Sequence, residues 1–161
     1  EAFQARLRGR PEEVEELADV MATNTKKFVL LHAVSQYPHS ASEANLGKID
    51  ALRKLLEGQH YASVGYSCHC LDIEVPKMAI AMGAEYIELH FSLSRALPQI
   101  KHQMYDGGPM VTTHECSYEP RELKEIADWR DKFAAATGTG EFFLNEIEGK
   151  IKTRYINRYG V

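Results

Sequence analysis

The stretch Val64–Phe91, VGYSCHCLDIEVPKMAIAMGAEYIELHF, decides the fold. It reads as strand, helix, strand, with one histidine at the C-terminal end of each strand. Val64–Ser67 is a short buried-strand pattern that runs into Cys68-His69-Cys70. Asp72 can cap a helix, and Pro76 is tolerated in the first turn, whose N–H groups lack intrahelical partners anyway. Ile73, Met78, Ile80 and Met82 supply the expected apolar face, and Gly83 stops the helix. Tyr86–Phe91 is then a second strand. In parallel β/α units the C-terminal strand ends carry the chemistry, and His69 and His90 both fall there.

Working outward, the same alternation continues. Upstream, Pro11 opens a helix from Glu12 to about Asn24. Its first turn is acidic, and Val14, Leu17, Val20 and Met21 fall on one face. Phe28–Val34, FVLLHAV, is a continuous apolar run that suits a strand covered on both faces. Ser35-Gln36-Tyr37-Pro38-His39-Ser40 is its C-terminal loop. A second helix is expected from about Glu43 to Glu57, with Leu46, Ile49, Leu52, Leu55 and Leu56 inward and Gly58 closing it. Downstream, Ser92–Tyr118 is long and irregular, and Glu119-Pro120 opens a helix to about Thr137. The tail 141–161 is weakly helical, then basic and aromatic.

Strands alternating with helices imply a parallel sheet with right-handed crossovers. Three strands are too few to protect their own edges. A complete (β/α)8 barrel takes roughly 250 residues, and this chain has 161. The expected fold is therefore α/β, a partial (β/α)8 barrel contributing three C-terminal strands over 1–140, with 141–161 a tail or linker. A first residue of Glu rather than Met suggests a processed product or a fragment.

Composition narrows the function classes. An apolar fraction of 44% with 26% charged residues is that of an ordinary globular protein. A net charge of −4 gives no basic footprint for nucleic acid or an anionic membrane. No apolar run reaches the length of a membrane span, and no signal-peptide pattern is seen at the start of the sequence. Cys68, Cys70 and Cys116 make no disulfide framework, so a cytoplasmic, reducing compartment is expected.

Four segments, HAVSQYP (32–38), GYSCHC (65–70), ELHFSL (88–93) and HECSYEPREL (114–123), together resemble the C-terminal half of the catalytic TIM barrel of sialic acid synthases. That family includes N-acetylneuraminate, legionaminate and pseudaminate synthases. The resemblance implies a condensation in which phosphoenolpyruvate adds through C3 to the open-chain aldehyde of an N-acyl hexosamine. Water then attacks the phosphate-bearing carbon and phosphate leaves, giving a nonulosonic acid. It also implies a divalent metal, Mn or Mg ahead of Zn, held by His69 and His90. Ser67 matches a serine that helps hold phosphoenolpyruvate. Tyr37 matches a tyrosine at the sugar site, and Ser35 a neighbouring substrate contact. The partners implied are these two small molecules, with a homodimer as the candidate assembly. No catalytic acid or base is assigned.

The sequence departs from the family pattern at Cys68 and Ser94, where aspartates are usual, and at Leu89, where a basic residue is usual. An acidic residue near the family's substrate has no counterpart at Lys101-His102 or at Thr113-His114. The lysines that grip phosphoenolpyruvate belong to the first half of the barrel. These departures sustain a rival reading: a non-catalytic barrel piece used for binding or assembly.

Strand parity adds an independent expectation. Side chains alternate along a strand, so His90 shares a face with Glu88, and His69 with Ser67. Tyr66, Cys68, Leu89 and Phe91 should face the helices. Two imidazoles would then converge, leaving most of a metal's coordination sphere open to oxygen donors. If the chain turned after Ser67 instead, Cys68 and Cys70 could join His69, His114 and Cys116 in a thiolate zinc site. His32, within an apolar strand, is read as hydrogen-bonded packing.

Overall fold

The computed structural model describes residues 11–22, 27–98, 101–103 and 110–160. The charged segment 1–10, Asn24 and Gly107-Gly108-Pro109 lie outside them. The chain falls into two compact units, Glu1–Asp131 and Lys132–Val161. The first contains helix α1 (Pro11–Ala22), strand β1 (Phe28–Ala33), helix α2 (Gly47–Leu55), strand β2 (Ala62–Cys68), helix α3 (Glu74–Ala81), strand β3 (Tyr86–Leu89), and strands β4 (Lys101–Gln103) and β5 (Met110–Thr112). Helix α4 (Pro120–Thr137) crosses the boundary, and helix α5 (Glu146–Tyr159) belongs to the second unit.

β1, β2 and β3 form one parallel sheet in that order, as the β/α alternation predicts for part of a (β/α)8 barrel. Phe28 lies opposite Ala62, and Gly65 opposite Tyr86. The ladder extends beyond the strands. His39 bridges to Cys70, and Phe91 to Tyr118, both in parallel sense. β4 and β5 pair antiparallel in a separate hairpin, within a stretch the sequence presented as irregular. Three-residue strands leave too short an alternation for a period-2 signal to register.

The core lies between the sheet and its helices. Ile49, Leu56, Val64, Tyr66, Cys68, Val75, Ala79 and Ile126 are buried in one cluster, with Leu46, Leu52, Leu55, Ile87, Leu89 and Leu123 packed against it. Full burial of a side chain such as Ile49 or Val75 contributes about 1.5–3 kcal/mol. The inward face of α2 is the one expected, although the helix starts later. Ala41–Glu43 forms a separate 3-10 turn, and Asn45, at φ 45°, interrupts the path before Gly47.

α3 turns only part of the expected face inward: Ile73 and Ile80 pack against the core, but the two methionines do not. Val75, Pro76 and Ala79 are buried, whereas Met78 is 45% and Met82 38% exposed. At 100° per residue the buried positions 75, 79, 76 and 77 cover one arc of about 200°, and 78 falls outside it, as does Met82 just past the helix end. Buried Lys77 completes the inward side by donating to Glu74 (2.7 Å) and to Glu125 of α4 (2.9 Å). Gly83 follows the helix at φ 92°, a conformation a side chain resists. Val20 of α1, expected on its apolar face, is 59% exposed.

Gly65 sets the spacing of the sheet. A Cβ there would lie 2.5 Å from Leu31 Cδ2 and 2.5 Å from the Tyr86 carbonyl oxygen. The second contact is backbone, so neighbouring strands would have to part. Gly65→Val should cost about 1–3 kcal/mol, read as a lowered urea midpoint. An unchanged midpoint would contradict this account of the packing.

Candidate functional site

β2 continues to Cys68, so the chain does not turn after Ser67, and its parity decides which side chains meet. Tyr66 and Cys68 face the core, while Gly65 and Ser67 face the opposite side. There the ring of His69 lies 5.2 Å from that of His90, centroid to centroid. Tyr37 joins them from the loop after β1, 4.0 Å from His69 and edge-on at 5.7 Å from His90. Three of the predicted residues thus gather into one ring cluster at the C-terminal strand ends. Ser67 lies beside it, with Oγ 3.5 Å from His69 Nε2. Ser35 is exposed in the loop that carries Tyr37, and no side-chain hydrogen bond engages it among the described residues.

The hydrogen bonds define the state of His69. Its Nδ1 lies 2.8 Å from the Val34 carbonyl oxygen, which can only accept, so Nδ1 carries the proton. The Ser67 hydroxyl donates to Glu88 Oε1 at 2.7 Å. Its single proton is therefore committed, and the nearby lone pair on His69 Nε2 receives none from it. His69 is buried, which makes an unsatisfied acceptor costly. Among the described residues no hydrogen bond reaches a ring nitrogen of His90. An imidazole oriented through its far nitrogen, with the near lone pair open, is the arrangement of a metal ligand.

Main-chain bonds hold both histidines in place. His39 N–H donates to the His69 carbonyl at 3.1 Å, and Tyr118 N–H to the His90 carbonyl at 2.7 Å. The Tyr118 hydroxyl donates to the Cys70 carbonyl at 2.6 Å. Further along, Ser92 Oγ lies 3.2 Å from His114 Nε2. Arg95 bonds Glu122 through both terminal nitrogens and the Ser117 carbonyl through one, tying the segment after β3 to the start of α4.

Burial pushes the pKa of His69 down, and the positive charge of a protonated His90 would push it further. Burial also lowers His90, against the opposing pull of Glu88. Both rings are therefore neutral at neutral pH. The cysteines are different. Cys68 and Cys70 lie in the core cluster, with Cys68 Sγ 3.6 Å from Tyr118 Oη. Burial raises the Cys68 thiol and pushes Cys116 up to about 11. A thiolate site around Cys68-His69-Cys70 is thus not assembled. Among the described residues no three His, Cys, Asp or Glu side chains gather as a metal cage. The donor set present, two neutral imidazoles with ring centroids 5.2 Å apart, fits a divalent ion whose remaining positions are filled by water or substrate. His32, as expected, packs in the core side of β1, with Nε2 2.8 Å from the Ala44 carbonyl.

Two contributors escaped the sequence reading. The Val34 carbonyl leaves no trace in residue identity. Glu88 was placed on the His90 face, but its bond to Ser67 depends on the register of β2 against β3.

His32, His69 and His90 all have folded-state pKa values lowered by burial. The unfolded chain therefore protonates first. Their stabilising contribution is whole above about pH 6.5 and is lost as the pH falls below it. Ring proton resonances of the three histidines should titrate with midpoints below about 6.5, and a midpoint at or above that value would contradict the burial account.

Comparison with known proteins follows the same residues. The sequence profile of the NeuB family matches residues 9–142. An N,N'-diacetyllegionaminic acid synthase from Legionella pneumophila is 35% identical over 114 residues, covering 71% of this chain and 28% of the relative. An N-acetylneuraminate-9-phosphate synthase from Drosophila melanogaster is 31% identical over 114 residues, covering 70% of this chain and 27% of the relative. The crystal structure of the N-acetylneuraminic acid synthetase from Leptospira borgpetersenii, bound to citrate, superimposes with a TM-score of 0.72 at 29% identity. That match covers 95% of this chain and 48% of the solved one. The chain thus spans about a third or less of the curated relatives it matches. Among the described residues no helix is long and apolar enough to cross a membrane.

Proposed function

Because this chain belongs to the NeuB family, we propose that it carries the metal-holding, sugar-facing part of a nonulosonic acid synthase. It would act with the remaining strands of the barrel, in the cytoplasm. The reaction is the condensation of phosphoenolpyruvate with the open-chain aldehyde of an N-acyl hexosamine. C3 of phosphoenolpyruvate bonds to the aldehyde carbon, water adds at C2, and inorganic phosphate leaves. The observation that carries the reading is the ring cluster of Tyr37, His69 and His90, with the open lone pair of His69 Nε2.

His69 and His90 would hold a divalent ion, Mn or Mg ahead of Zn, whose chemistry is to polarise a carbonyl as a Lewis acid. His69 arrives oriented by Val34, so its binding atom needs no rearrangement. Tyr37 would wall the acceptor sugar beside the imidazoles, with Ser35 a further contact from its loop. Ser67 would meet phosphoenolpyruvate. Its hydroxyl donates to Glu88 in the free protein, so it must turn from that carboxylate to donate to an incoming anion. Glu88 repels an anion placed beside it, which favours a bound cation between them.

Cys68 bears on the rival, non-catalytic reading. Where relatives are expected to carry aspartate, Cys68 faces the core beside Tyr118, on the side of the sheet away from the ring cluster. Its substitution therefore removes a charge behind the site and leaves the open face intact.

Calorimetric titration of Mn²⁺ tests the proposal. The wild-type chain should bind one ion, and His69→Ala and His90→Ala should each weaken binding at least about tenfold. Binding unchanged in both variants, or absent from a folded wild type, would favour the non-catalytic reading. With the rest of the barrel supplied, phosphate release from phosphoenolpyruvate should require an N-acyl hexosamine and fall with the same two substitutions.

A further inference from the structure

The loop after β1 holds a histidine outside the ring cluster. His39 is 4% exposed, although it lies only two residues after Tyr37. Both of its ring nitrogens are engaged. Nδ1 lies 2.8 Å from the Ser40 carbonyl oxygen, which can only accept, so Nδ1 carries the proton. Nε2 is then an acceptor, and the Tyr66 hydroxyl donates to it at 3.1 Å. Tyr66 is fully buried on the core face of β2, where an unpaired hydroxyl is costly. Burial holds its phenol above the ordinary range, so the proton stays available for donation. The Cys68 thiol also reaches this hydroxyl, but sulfur is a weak acceptor and the imidazole nitrogen a good one.

The main chain of His39 is fastened as well. Its N–H donates to the His69 carbonyl oxygen at 3.1 Å, and the residue forms a parallel bridge with Cys70. At the other end of the loop the Val34 carbonyl takes the His69 ring proton. Residues 34–39 are therefore tied to His69 twice, once at its ring and once at its backbone. Ser35 and Gln36, between the ties, are exposed. Ordering such a loop costs backbone entropy, and its product is the Tyr37 ring held 4.0 Å from that of His69. We propose that the Tyr66–His39 hydrogen bond anchors this loop to the core and so sets Tyr37 against His69. His39 touches no ligand; it is a positioning residue that acts through Tyr37 and His69. Its effect on ion binding rests on the metal-holding role proposed above, whereas the ring placement is a property of the chain itself. If His39 and Tyr66 only filled core space, losing the bond while keeping the ring would change stability alone.

NMR spectra of the histidine rings, together with calorimetric titration of Mn²⁺, test this on the whole chain, with urea midpoints reporting folding. The Tyr37 ring shifts the His69 ring protons, and Tyr37→Leu defines that shift by abolishing it. Tyr66→Phe removes the donor and keeps the ring that fills the core, so its fold should survive. His39→Leu removes the acceptor, and His39→Gln returns an acceptor oxygen near the place of Nε2. Tyr66→Phe and His39→Leu should lose at least about half of the shift and weaken Mn²⁺ binding about threefold to tenfold, the lower reach of what groups that orient a ligand contribute. His39→Gln should keep the shift and most of the affinity. Should His39→Leu unfold, Tyr66→Phe carries the test. A full shift and unchanged Mn²⁺ binding in folded Tyr66→Phe, or a His39→Gln chain no better than folded His39→Leu, would overturn the proposal. A wild type that binds no Mn²⁺ while the shift follows the variants as expected would sustain the positioning and overturn the metal-holding reading instead.

Discussion

A strand shows its side chains alternately to two sides, and β2 carries that constraint through the whole molecule. Val64, Tyr66 and Cys68 enter the core with the helices. Gly65 and Ser67 take the other side, and the chain delivers His69 next to Ser67. Gly65 brings β1 and β3 close on either flank, so the loop after β1 and the end of β3 reach the same point in space. The hydrophobic pattern and the site are therefore one specification. A one-residue slip in register would send the histidine into the core and the tyrosine into solvent.

Around this frame, polar groups are placed by backbone more than by side chains. The carbonyls of His69, His90 and Cys70 each accept a bond from a neighbouring segment. Tyr118 supplies two of those bonds, one through its amide and one through its hydroxyl. It also takes a single-bridge position beyond β3, so the sheet's parallel order continues for one residue where no strand is assigned. Desolvation then does the electrostatic work. It keeps the imidazoles of His69 and His90 neutral and the Cys68 thiol protonated, on opposite sides of β2.

Much of this was legible from residues because the signals were long or redundant. The apolar run of β1, the leucine spacing of α2 and the paired histidine ends of β2 and β3 each survive errors of one or two positions. Legibility failed where the signal was short or rotational. The β4–β5 hairpin offers three residues per strand. In α3 the methionines look more apolar than Ala79, yet helical phase turns Ala79 inward and the methionines out. The tail read as weakly helical because its apolar residues have no partner within the chain's sequence pattern, although its capping box is written plainly in Asn145 and Glu148. At the site, strand parity placed the side chains of Ser67, His69, Glu88 and His90. The loop residues Ser35 and Tyr37 had no such rule and rested on resemblance alone.

The bond from His69 to Val34 has a consequence for how the site can change over time. The atom that orients the imidazole is a peptide oxygen, which nineteen other residues at position 34 would supply equally. The tautomer is thus encoded in the path of the chain. Substitutions at this position are filtered only for size and backbone fit, and the feature that readies His69 stays invisible to any inspection of residue identities.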